Sequence, residues 1–355
     1  MEPYPGAELG AYLIERKVGE GAFGAVWCGI HQETGERVAL KVLLAAAAAN
    51  QEQVSRFHRE AELLARVRSA NVARMVDVLV SPQFGVVLIM EFIDGELMSD
   101  LLGAGLLKVE ETIEIGAQIL DGVCDLHAVG IIHRDLKPNN IMLCTRPDGM
   151  RRVVIFDLGL SRLIRGADGG ESTRSLTGSH VALGTLECMA PEQILNARDV
   201  TERSDVYSVG SILYRAMTGY YPFAAEDERD LARRKLTVET PEIVIAPLDP
   251  IAEGLRAIIT KATRRRPAQR YEKAVLMRDE FRALQELVKS RAVTTGPMKA
   301  MTRPRRHAAA AAPPQEQIPT RIIDGRQKKS SGLVMALTLV CAVIGVAIVW
   351  RTMHP

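Results

Sequence analysis

Residues 12–43 alternate apolar and polar positions in short runs broken by glycine, which predicts a β-hairpin followed by a third strand. The next stretch, EQVSRFHREAELLARV, sets its apolar residues at helical spacing and predicts an amphipathic helix. Two more strand-like runs lie around Ala73–Val80 and Val86–Phe92. Beyond Gly95 the period becomes helical: VEETIEIGAQILDGVCDLHAVG, DVYSVGSILYRAMTG, IAEGLRAIITKAT and AVLMRDEFRALQELV all carry it. Strands first and helices afterwards predict an α+β protein with a small β-rich lobe and a larger helical lobe.

The pattern breaks near residue 290. TTGPMKAMTRPRRHAAAAAPPQEQIPTRIIDGRQKKSS is rich in Pro, Ala, Thr and basic residues, lacks aromatics and reads as a linker without a packed core. Gly332–Trp350 then runs for 19 residues without charge or proline. At ~1.5 Å per residue such a helix reaches close to the thickness of a bilayer core, so it predicts a transmembrane helix. Arg321, Arg326, Lys328 and Lys329 precede it and only Arg351 follows, which predicts that the body of the chain lies on the cytoplasmic side of a cell membrane. The five-residue tail is too short for a sensor domain, and the basic linker is suited to touch anionic lipid.

Charge sharpens this division. The 355 residues carry a formal net charge of +2, but Glu286–Ser331 holds ten Lys/Arg against three Asp/Glu, so the body is acidic. That balance argues against nucleic acid as a partner. The five cysteines are scattered, with no zinc-type spacing, which fits a reducing compartment. The N-terminus has no basic start followed by an apolar stretch, so no cleaved signal peptide is expected.

Four stretches carry candidate chemistry. GEGAFGAV, Gly19 to Val26, lies between two strand-like runs; its glycines (19, 21 and 24) suit a turn that brings backbone N–H groups close to phosphate oxygens. A glycine-rich hairpin explains this stretch equally well. VALK ends an apolar run on Lys41, for which Glu60 on the following helix is a candidate partner, while a surface lysine is the plain alternative. HRDLKPNNIM places Asp135, Lys137 and Asn140 in one short loop after a helix, a set that suits a base, a phosphate-contacting cation and a metal ligand. IFDLGLSR ends the apolar run VVIF on Asp157, a carboxylate suited to Mg2+, and APE follows at Ala190–Glu192.

In this order the motifs resemble the eukaryotic-type protein kinases, over about residues 12–285, with RFHREAELLARV, MEFIDG and APEQ closest to bacterial members. The resemblance implies a bilobal kinase fold and phosphate transfer from ATP, with Mg2+ as the expected metal and Mn2+ as an alternative. Gly19, Glu20, Gly21, Ala22, Phe23, Gly24 and Val26 would cover the phosphates, and Lys41, held by Glu60, would bind them. Val26, Ala39 and Met142 would wall the adenine, Met90 would stand at the back of its pocket, and the Glu91–Ile93 backbone would bond its edge. Asp135 would orient the acceptor hydroxyl, Lys137 would steady the γ-phosphate, and Asn140 and Asp157 would hold the metal. Asp205 looks like the aspartate that braces the catalytic loop, and Arg270 like the partner of Glu192. Lys137 and Thr185 match the serine/threonine type, so the implied partners are proteins with Ser or Thr acceptors.

Two positions depart from the pattern: Leu158 replaces the usual Phe, and Cys188 stands where Tyr or Trp is common. Cys188 reads as a buried apolar filler in preference to a redox switch. Arg134 belongs to the type that meets an activation-loop phosphate, and Thr177 and Ser179 match positions at which similar bacterial kinases autophosphorylate. The resulting organisation is an N-terminal extension (1–11), a kinase domain (12–285), a basic linker (286–331), a transmembrane helix (332–350) and a short tail (351–355). A homodimer is compatible with it. A pseudokinase scaffold and a small-molecule phosphotransferase are the competing functions; the retained catalytic positions argue against the first and the APE segment against the second.

Overall fold

The computed structural model describes residues 3–21, 24–43, 62–146, 148–157, 183–196, 199–244 and 249–294. All belong to the first of two compact units, Met1–Met298. The predicted linker beyond Thr294 and the predicted membrane span at 332–350 lie outside the described residues. Among the described residues, no helix is long and apolar enough to cross a membrane.

The first lobe is a six-stranded antiparallel sheet. Its strands are β1 (Glu8–Leu9), β2 (Tyr12–Gly21), β3 (Gly24–His31), β4 (Arg37–Leu43), β5 (Met75–Ser81) and β6 (Gly85–Glu91), in the order β1-β2-β3-β4-β6-β5. The alternation seen in the sequence sends Ile14, Trp27, Val38, Leu40, Val87 and Ile89 into one buried cluster. Residues 62–66 are helical, the described part of the amphipathic helix expected after β4. Leu64 and Val67 join Val72, Leu88 and Leu126 in a second cluster.

The second lobe is helical around a small sheet. A short β7 (Glu96–Leu97) leads into α1 (Met98–Ala104) and α2 (Val109–Ala128). The hairpin of β8 (Ile141–Thr145) and β9 (Arg151–Ile155) follows, giving a three-stranded sheet in the order β7-β8-β9. Then come α3 (Leu183–Cys188), α4 (Pro191–Leu195), α5 (Glu202–Thr218), α6 (Glu228–Thr237), α7 (Pro250–Ala262) and α8 (Ala274–Thr294). Helix α5 is buried along most of its length and packs with α2, α7 and α8 in one apolar core. The Asp249 carboxylate caps α7 by accepting from the Ile251 and Ala252 N–H groups, with Pro250 in the first turn. Helix α8 carries on past the boundary at residue 285 read from the sequence. Val288 still packs on the core and Arg291 pairs with Asp249 at 3.1 Å, contacts that the polar composition of this turn hides.

The lobes meet at two seams. Ile155 of β9 donates its N–H to Asn71 O and accepts from the Ala73 N–H. Gly95 leads into β7 against β8, where a Cβ would collide with the Leu143 carbonyl. Only glycine lets the chain pass there.

Candidate active site

Strands β2 and β3 form the glycine-rich hairpin. Gly19, Glu20 and Gly21 end β2 and Gly24 opens β3, with Gly21 opposite Gly24; Ala22 and Phe23 lie outside the described residues. The register then pairs Val26 with Lys41 and Ala39 with Met90. Lys41 is buried, and its Nζ pairs with Asp157 Oδ1. Its expected partner Glu60 lies outside the described residues. Lys41, Met75, Leu88, Met90, Phe156 and Asp157 line a common pocket. Glu91 ends β6 and Ile93 lies two residues beyond it, both half-buried; Met142 on β8 pairs with Leu97.

The Glu91 side chain is held from outside the sheet. Arg152 on β9 donates to Glu91 Oε1 at 2.8 Å and to the Ala70 carbonyl at 2.6 Å, and the Arg74 N–H donates to Glu91 Oε2 at 3.2 Å. Burial pushes this carboxyl up, but these donors bring it below its ordinary range.

The catalytic loop is built around Asp205, 1 % exposed on α5. Its carboxylate accepts from the His133 N–H at 2.8 Å and the Arg134 N–H at 3.0 Å, and sits 2.8 Å from His127 Nε2. Burial pushes the Asp205 carboxyl up, yet the His127 hydrogen bond and the surrounding donors hold it low, so it stays ionised. Burial also depresses His133. Within the loop Lys137 Nζ donates to Asp135 Oδ2 at 3.0 Å. Asn140 Nδ2 donates to the Asp135 carbonyl at 2.8 Å and reaches Oδ2 at 3.3 Å. The Phe156 N–H donates to Asn140 O at 3.0 Å, which brings Asp157 beside the loop. Arg134 (φ 65°) and Asp157 (φ 55°) both adopt the left-handed region although neither is glycine. Such strain persists only where surrounding bonds over-determine it, and here it flanks both candidate carboxylates.

A third segment closes the site. Glu192, on α4, accepts both arms of the Arg270 guanidinium at 2.8 Å and a bond from Ser204 Oγ at 2.8 Å, all buried. The Ala190 N–H donates to Gln193 Oε1, and Gln193 Nε2 donates to the Arg134 carbonyl at 2.9 Å, tying this segment to the catalytic loop. Burial pushes the Cys188 thiol up to about 12, which suits an apolar filler and not a reactive thiolate. Thr185 lies within α3, its side chain outside the described residues; Leu158, Thr177 and Ser179 are also outside them.

A protein kinase domain model matches residues 12–282. The chain belongs to the protein kinase family. Among curated kinases it is 33% identical over 299 residues to the serine/threonine-protein kinase Pkn1 of Myxococcus xanthus, covering 84% of this chain and 42% of that one. It is 30% identical over 321 residues to PknA of Mycobacterium tuberculosis, covering 88% of this chain and 69% of the relative. The chain spans about half the length of the first curated relatives it matches. In fold it is similar to the PknI kinase domain of Mycobacterium tuberculosis, with a TM-score of 0.58 and 22% identity over 80% of this chain and all of that one.

Several residues of this kinase site carry no signal in the sequence. His127 and Ser204 act through Asp205 and Glu192 across sequence gaps of 78 and 12 residues. Gln193 follows the APE motif directly, so its position next to that motif is the one available hint.

Proposed function

We propose that the chain is an ATP-dependent serine/threonine protein kinase, anchored in the membrane by residues 332–350 with its catalytic domain in the cytoplasm. The observation that carries the activity is the shared cluster of Asp135, Lys137 and Asn140, with Asp157 brought beside it by the bond from Phe156 to Asn140. An acceptor hydroxyl oxygen attacks the γ-phosphorus as the bond to the β-γ bridging oxygen breaks, and ADP leaves. Asp135 takes up the hydroxyl proton, and Lys137 steadies the transferring group. Lys41 binds the phosphates from the opposite lobe. Catalysis of this kind is mainly positioning and charge neutralisation, and the chain's own cations and backbone donors supply both.

Magnesium fits the donors available. The Asn140 carboxamide and the Asp157 carboxylate are hard oxygen ligands, and among the described residues no cluster of three or more His, Cys, Asp or Glu could hold a metal. Two protein ligands, with phosphate and water completing the shell, is the habit of Mg2+. When bound, the ion neutralises phosphate charge.

Phosphate on Thr177 or Ser179, paired by Arg134, is the proposed regulatory event. Lipid contact rests on the uncharged stretch 332–350 and the basic residues before it. The test uses the full chain in lipid vesicles with labelled ATP, Mg2+ and a generic protein acceptor, beside Asp157→Ala. Transfer by the parent chain and none by the variant supports the kinase, and mapping the label tests Thr177 and Ser179. Nucleotide binding without transfer in either chain favours a scaffold. Flotation of the full chain with vesicles, lost when residues 332–355 are removed, tests the anchor.

A further inference from the structure

Helix α6 turns two residues inward, Leu231 and Lys235, one helical turn apart. Leu231 packs with Leu186, Met189 and Phe223. Lys235 is 1 % exposed. Its Nζ donates to the Glu187 carbonyl at 2.8 Å and the Met189 carbonyl at 2.7 Å, and stands 4.9 Å from the centre of the Tyr207 ring. The carbonyl between them, of Cys188, accepts from Ser208 Oγ of α5 at 2.9 Å. Three consecutive carbonyls are therefore held by side chains from two helices.

The clamped backbone leads straight to the reacting loop. Ala190 bonds to Gln193, Gln193 bonds to the Arg134 carbonyl, and Asp135 is the next residue. Whatever fixes residues 187–189 also fixes the wall beside Asp135.

Lysine is a costly choice at this position. Among the described residues no carboxylate forms an ion pair with Lys235, and burial pushes its amine toward the neutral form although Glu187 and Glu192 lie nearby. A methionine would fill similar volume without that cost, but it would leave two carbonyls unbonded and the segment free to shift. The tetrahedral nitrogen of a lysine reaches two carbonyls two residues apart, beside the Tyr207 ring that Arg270 also meets at 4.7 Å.

We propose that Lys235 is a positioning residue for the protein acceptor, holding the Glu187–Met189 backbone in the register that presents an acceptor hydroxyl to Asp135. The proposal rests on the kinase reading of Asp135.

The test compares the full chain in lipid vesicles with Lys235→Met. Acceptor and ATP concentrations are varied separately, and amide exchange is followed at Met189 and Ala190. The expected result is an acceptor KM about tenfold higher with the ATP KM unchanged, and faster exchange at both amides. Lys235→Gln keeps a neutral donor and should recover most of the acceptor KM; it also serves if Lys235→Met fails to fold. A purely structural role would lower the melting temperature and degrade every kinetic parameter together, which overturns the proposal. Unchanged exchange beside normal transfer overturns the clamp alone. If the parent chain transfers no phosphate while exchange still rises in the variant, the kinase reading falls and takes the acceptor role with it.

Discussion

At Asp205 one buried carboxylate accepts from two consecutive backbone N–H groups and a histidine. Replacing it with Asn leaves a single acceptor oxygen and turns its other half into a donor facing donors. Asp205→Asn should loosen the catalytic loop and lower kcat about a hundredfold, the size of effect expected when reacting groups are misplaced by an ångström. ATP affinity, which also draws on Gly19–Val26, Lys41 and Met90 of the first lobe, should move less; steady-state kinetics against nucleotide titration would separate the two. Lys235 carries a pH signature. Burial drops its amine from 10.5 to about 7, with Glu187, Cys188, Glu192 and Arg270 as its charged or titratable neighbours. Between those values the unfolded chain holds a proton that the folded chain does not, so its contribution to stability rises with pH across that window. Urea unfolding at pH 7 and pH 9 should show the parent chain gaining on Lys235→Met as pH rises. A neutral amine keeps two N–H groups, enough for both carbonyls.

Helices and strands place these residues by close approach. Gly122 on α2 faces the Asn71 carbonyl, and a methyl added there would sit 2.7 Å from that oxygen and 2.9 Å from Ile155 Cδ1. Gly122→Ala should push α2 off the seam through which β9 bonds residues 71–73, at a cost of about 1–3 kcal/mol by denaturant unfolding. Strand β9 also holds the end of β6 through Arg152 and Glu91. Arg152→Ala should free the Glu91 side chain and raise the ATP KM about fivefold with kcat little changed, equivalent to ~1 kcal/mol for a part-exposed pair. Most elements were legible from periodicity: β2 to β6, α2, α5 and α7 fall where the apolar spacing puts them. Helix α6 was not, because its sequence, ERDLARRKLT, has only two leucines and one alanine to mark a buried face. Its inward lysine reads as a surface residue until the carbonyls of Glu187 and Met189 are seen around it. The left-handed backbones at Arg134 and Asp157 were equally hidden, since few non-glycine residues adopt that region and no local pattern marks those that do. The candidate residues Asp135, Lys137, Asn140 and Asp157 were legible because they sit in short runs of fixed spacing. Of their supports, Asp205 and Arg270 were legible through the resemblance, while His127, Gln193 and Arg152 were not, because they reach the site across the fold.

Across the whole molecule the Glu192–Arg270 pair joins α4 and α5 to the turn before α8, with Arg270 also donating to the Arg203, Arg264 and Arg265 carbonyls. Burial pushes the Glu192 carboxyl up, but the Arg270 fork and Ser204 bring it below its ordinary range, so this contribution is present at neutral pH and is lost on acidification through the folded value. Arg270→Met strands a buried carboxylate and should cost about 3–5 kcal/mol, a large part of the ~5–15 kcal/mol that holds a typical domain together. Chemical unfolding of the full chain in lipid would read it. The packing of α2 against α8 matters on a different clock. About 145 residues separate Ala128 from Ala274, so at ~5–20 residues per second a ribosome needs roughly 7–30 s between delivering one helix and the other. Through that interval the apolar face of α2 that Phe281 will cover stays unclosed. A nascent chain arrested before Ala274 should therefore be rapidly cut by protease and retained by chaperones, while one arrested after Thr294 has emerged should resist both.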